Sequence, residues 1–79
     1  MQDSTEVFFK HDAVKDIAGS IIKSHNTYIV KLYYNQGNGI YTDYPVSRFE
    51  DAEEVFADEW QNLSNLTTLE KARLYKERV

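Results

Sequence analysis

"TYIVKLYYNQGNGIYTDYPVS", residues 27–47, decides the fold. Its two runs, 27–34 and 40–47, are β-branched and aromatic. The "NQGNG" between them supplies residues that tolerate positive φ in a hairpin loop. Pairing Tyr34 with Ile40 sets Lys31 opposite Asp43, Tyr33 opposite Tyr41 and Val30 opposite Tyr44. One face then carries Tyr28, Val30, Leu32, Tyr34, Ile40, Tyr44 and Val46, and the other carries Ile29, Lys31, Tyr33, Tyr41 and Asp43. Pro45 has no N–H for the ladder, so the second strand is expected at a sheet edge or to end there. "GNGIYT" begins like a dinucleotide-binding glycine motif, but it lacks the third glycine and leads into a strand, which makes it a turn.

Upstream, residues 1–4 are expected to be a loose tail, and "TEVFFK" (5–10) is either a short strand or the lead-in to a helix. Asp12 is a good N-cap, and Val14, Ile17, Ala18, Ile21 and Ile22 recur at helical spacing. A helix over 12–24 follows, weakened by about 1 kcal/mol at Gly19.

Downstream, "FEDAEEVFADEW" (49–60) opens a second helix, with Asp51 and Glu54 at capping-box spacing and an apolar stripe of Ala52, Val55, Phe56, Trp60 and Leu63. Thr67 and Glu70 repeat that spacing and predict a last helix over about 68–78. The expected fold is α+β, one small domain over 1–79: a β-hairpin, with 5–10 as an optional third strand, packed with three helices in the order (β)-α-β-β-α-α.

Seventy-nine residues, 42% hydrophobic and 14% aromatic, support a core but a thin one. The absence of cysteine excludes disulfides and thiolate metal sites, and a small fold without such staples often gains stability by oligomerising, which points to a homodimer. The first ten residues lack the basic flank and apolar stretch of a signal peptide, and no apolar run reaches membrane-spanning length; the reading is a cytoplasmic protein without membrane insertion. A net charge of −4 argues against a general phosphate-backbone binder. His11 and His25 have no metal-site spacing, and no nucleophile elbow, HExxH motif or cofactor fingerprint occurs, so neither an enzyme nor a bound metal or cofactor is expected. His25 is read as satisfying carbonyls at the end of the first helix.

Six carboxylates in residues 49–60 face no lysine or arginine, whereas 67–79 carry Lys71, Arg73, Lys76 and Arg78. Acids in the first turn favour the helix start by roughly 0.3–1 kcal/mol each. Asp58 stands four residues after Glu54, a like-charge spacing that local helix physics disfavours. Glu59 projects into the apolar arc, where a carboxylate needs a partner, expected from a base of the last helix, a tyrosine hydroxyl or another protein. Tyr33 and Tyr41 are either covered by another element or form an exposed aromatic patch. Leu74 stands apart from the Leu69, Ala72, Tyr75 and Val79 stripe and is expected to be exposed.

The hairpin-then-helix run "YIVKLYYNQGNGIYTDYPVSRFEDAEEVF" (28–56) resembles the AP2-like arm-binding domains of phage integrases. The resemblance implies a three-stranded sheet presenting bases to DNA, but here Lys31 is the hairpin's sole base and Asp43 faces it. The expected function is a small acidic, non-enzymatic protein–protein interaction module, an inhibitor or adaptor of a host protein of the type that phages and mobile elements encode. Its contacts are expected from Asp51, Glu54, Asp58, Glu59, Tyr33, Tyr41 and Leu74, to a partner with a basic surface. The alternative is a nucleic-acid-binding module using the hairpin and the basic last helix.

Overall fold

A computed structural model describes residues 4–34 and 36–78, with the side chains of 75, 77 and 78 left aside. The chain runs β1 (Ser4–Asp12), β2 (Ile17–Ser24), β3 (Thr27–Tyr34), β4 (Gly39–Val46), α1 (Phe49–Ser64) and α2 (Thr68–Arg78). The four strands form one antiparallel sheet in chain order, β1-β2-β3-β4. The class is α+β, as expected, with two helices instead of three. The tail expected over 1–4 lies outside the described residues, apart from Ser4, which opens β1.

The expected helix over 12–24 is instead the β1–β2 turn and β2. A spacing of four keeps Ile17 and Ile21 on one face in a strand as well as in a helix, so periodicity alone does not separate the two readings. Two residues do. Val14, which a helix would bury, is 95% exposed, and Gly19 takes its place between Ile17 and Ile21 on the buried face. Asp12 caps a turn, not a helix: its Oδ1 accepts from the Val14 and Lys15 amides at 3.1 and 3.2 Å. His25 sits at φ 57° in the two-residue β2–β3 turn, exposed, so it closes a hairpin and no helix end.

The β3–β4 hairpin forms where expected, and β4 lies at the sheet edge. Lys31 pairs with Asp43 and Val30 with Tyr44, but beyond Leu32 the register slips, giving Tyr33–Ile40 and Tyr34–Gly39. The cause is the Tyr34 ring, which lies across Gly39 so closely that a Cβ there would stand 2.5 Å from its Cζ. Only glycine fits opposite Tyr34, and the displaced residue becomes a bulge at Tyr41. The bulge exchanges the faces expected for Ile40 and Tyr41: Ile40 joins Tyr33, and Tyr41 packs against the core.

The core lies between the sheet and the helices, built from Ile17, Ile21, Val30, Leu32, Tyr34, Ala52, Phe56 and Leu63. Burying each of the large side chains is worth about 1.5–3 kcal/mol. Helix α1 crosses β2, β3 and β4. It starts at Phe49, earlier than the Asp51–Glu54 spacing suggested, because Phe49 packs edge-on to Tyr28 at 5.6 Å; the N-cap residue Arg48 makes no side-chain cap. Asp51 therefore lies inside the first turn. The second capping box does form, with Glu70 Oε1 accepting from the Thr67 amide at 2.9 Å and Thr67 Oγ1 accepting from the Glu70 amide at 3.1 Å. Hydrogen bonding of the Glu70 carboxylate to the Thr67 amide first, and to the Thr67 side chain second, holds the carboxyl below its ordinary pKa.

Helix α2 is tied to the β1–β2 turn. Lys15 Nζ donates to the Ser64 carbonyl at 3.1 Å and to Ser64 Oγ at 2.6 Å, and Lys71 Nζ donates to the Lys15 carbonyl. Leu74 packs against the core while Leu69 is 71% exposed, the reverse of their expected places; the Tyr75 side chain and Val79 of that stripe lie outside the described residues. Lys71 and Leu74, three residues apart, share the side of α2 that faces the rest of the fold. No helix among the described residues is long and apolar enough to cross a membrane.

Candidate functional site

Helix α1 crosses β2, β3 and β4 but not β1, which it meets only through side chains. The gap between α1 and β1 is a groove of about 340 Å³, floored by Phe8, Ile21, Phe56 and Trp60 and bordered by Lys10, Glu53 and Gln61. Its aromatics form one run: Phe8 meets Phe56 edge-on at 5.0 Å, Phe56 stacks on Trp60 at 5.7 Å, and Lys10 Nζ stands 4.9 Å over the Trp60 ring. Phe8 reaches this face through a second bulge, at Val7, which shifts the register of β1 against β2 between Glu6 and Phe8.

Above the groove rises the solvent side of α1, with Glu50, Asp51, Glu53, Glu54 and Asp58 all exposed. Glu50 pairs with Arg48, at 3.1 Å from its NH2 nitrogen and 3.2 Å from Nε. Among the described residues the Glu54 and Asp58 carboxylates have no ion-pair or hydrogen-bond partner. Glu59 is different: it turns toward β4, where Oε2 accepts from Thr42 Oγ1 at 3.1 Å and Oε1 from Asn62 Nδ2 at 3.4 Å. Its partner is a threonine hydroxyl and an amide, neither the base nor the tyrosine expected.

The residues singled out from the sequence do not form one surface. Asp51, Glu54 and Asp58 sit together on the outer side of α1, Tyr41 and Leu74 pack against the core, and Tyr33 lies on the opposite face of the sheet. The aromatic centre beside the carboxylates is Phe8 and Trp60. Trp60 was legible only as part of the apolar stripe. Phe8 was hidden because the bulge at Val7 breaks the alternation that would have assigned it a face.

Of the bases, Lys15 and Lys71 make hydrogen bonds that join the β1–β2 turn to the helices, and Lys31 stands between Ser20 and Asp43 on the sheet. Among the described residues no three His, Cys, Asp or Glu side chains cluster as metal ligands, and His11 and His25 lie at opposite ends of the sheet. Comparison with family models, curated proteins and solved structures finds no match to this chain.

Proposed function

We propose that this chain is a non-enzymatic protein-binding module, an inhibitor or adaptor, that seats an apolar side chain of its partner in the β1–α1 groove while the carboxylates of α1 meet bases around it. The observation that carries this reading is a groove with an aromatic floor bordered by Glu53, on the helix whose exposed residues include Glu54 and Asp58. Aromatics in a desolvated pocket supply affinity, and charges at the rim steer the encounter. Asp51, Glu54 and Asp58 keep the role expected of them, with Glu53 added, and Phe8 and Trp60 take the part first assigned to Tyr33 and Tyr41.

The test is capture of the partner from the native host with immobilised protein, followed by binding kinetics of the purified pair across salt. Trp60 reports groove occupancy through its own fluorescence. Glu54→Lys/Asp58→Lys should slow association and flatten its salt dependence, because rim charges act on the encounter rate. Phe8→Ala should speed dissociation. A folded double-reversal variant that binds with the wild-type rate and salt slope overturns the proposal.

A further inference from the structure

The side of the sheet away from the helices is not the polar surface that a solvated antiparallel face normally shows. Its three rungs follow from the register: Glu6, Ile22, Ile29 and Pro45; then Phe9, Ser20, Lys31 and Asp43; then His11, Ala18, Tyr33 and Ile40. Seven of the twelve are apolar, with Phe9 at 56% and Ile40 at 52% exposure, and no described element packs over them. The relief is uneven. Strand β3 carries the large side chains Ile29, Lys31 and Tyr33, while on β2 the small Ser20 lies buried between its neighbours and Ala18 is half-buried. A hollow of about 410 Å³ opens over Ala18, between Tyr33 and the stacked rings of Phe9 and His11.

We infer that a second copy of this chain covers this face, about a two-fold axis that runs parallel to the strands between β2 and β3. This goes beyond the proposed partner groove, which lies on the other side of the sheet. Such an axis lays β3 of each copy over β2 of the other and keeps every rung at its own level, so each cross-strand pair is also a pair between copies. Tyr33 of one copy enters the hollow over Ala18 of the other, Ile29 meets Ile22, and Lys31 comes down on Ser20. Ser20 is where the complementary charge waits: its Oγ donates to Glu6 Oε2 at 2.8 Å, which draws the carboxylate to the point that the opposing Lys31 reaches. Large side chains meet small ones and a base meets an acid, twice over, as a self-complementary two-fold contact requires. Sheets packed this way sit roughly 10 Å apart and about 30° from parallel, which keeps the central strands closest. Four strands at about 4.8 Å spacing and roughly 25 Å length give a face of roughly 500 Å² in projection. With its side-chain relief this approaches the 800 Å² or so per partner of an ordinary stable interface.

Sedimentation equilibrium from about 5 to 500 μM is the first test, with a dimer expected. Lys31→Glu, which sets carboxylate against carboxylate between copies, should raise the dissociation constant at least tenfold. Glu6→Lys/Lys31→Glu, which exchanges the two charges, should restore the dimer; a merely structural role for Lys31 predicts no such rescue. Since Lys31→Glu also crowds Asp43, the wild-type chain supplies an independent readout. Its concentration-dependent NMR shifts should fall on Ala18, Ser20, Ile22, Ile29, Lys31 and Tyr33 and spare α1. A monomer at 500 μM, a dimer indifferent to Lys31→Glu, an exchange variant that stays monomeric, or shifts confined to the outer edge of β1 would each overturn the inference.

Discussion

A Cβ built on Gly19 would stand 2.7 Å from Phe56 Cε2 and 2.8 Å from its Cζ, so the ring of α1 rests on the bare backbone of β2. Gly19→Ala forces either the ring or the helix away. It should destabilise the protein by about 1–3 kcal/mol, the usual cost of overpacking. Urea unfolding measures it, and Phe56→Leu in the same chain should recover part of the loss, because the two sites share one contact. Additive effects would mean that the helix does not sit this close.

Glu59 and Thr42 join α1 to the edge strand β4. Glu59→Ala should cost about 1 kcal/mol, and Thr42→Val about as much, with a coupling of at least half that in a double-mutant cycle. Independent losses in the cycle would detach Glu59 from β4.

The cap of α2 makes a pH prediction. Glu70 has a lowered pKa because its carboxylate accepts from the Thr67 amide and, second, interacts with the Thr67 side chain. A depressed folded pKa means that the stabilisation is present above the unfolded value and is lost as pH falls through the folded one. Side-chain carbon NMR of Glu70 should titrate below the ordinary value of 4.5. In Thr67→Ala the titration should move back toward that value, and the first turn of α2 should fray at neutral pH.

Helix α1 has no base in its own last turn, and Lys15 from the β1–β2 turn stands there instead. Lys15→Met keeps the apolar stem and removes the donor. It should cost about 0.5–1 kcal/mol and raise amide exchange through α2 more than through the sheet, because the same turn receives Lys71. Uniform exchange across the chain would argue against that link.

Where local chemistry decides the structure, the sequence was readable. The hairpin over 27–47 formed with its Lys31–Asp43 pair, and the Thr67–Glu70 cap formed as spaced. Two of the errors turn on a glycine whose meaning is set by the ring that packs on it. Gly19 reads as a flaw in a helix until Phe56 is known to lie on it, and Gly39 reads as loop until Tyr34 covers it. Gly39 also moved Tyr41 off the face it was expected to share with Tyr33. The candidate site suffered most. Its carboxylates were visible as a run, but the neighbouring aromatic Phe8 depended on a bulge that alternation cannot foretell.

Because sheet order equals chain order, no strand has to wait for a distant segment before it pairs. Each hairpin closes a short loop at small entropic cost, so the mean sequence separation of contacts in the sheet is low for a β-rich domain. Refolding should therefore run faster than for β-sandwiches of similar size, which stopped-flow fluorescence of Trp60 would measure. The rate should depend on β2 and β3, on which α1 docks, and less on the edge strand β1, which α1 does not cross, so that Phe8→Ala should act mainly on unfolding.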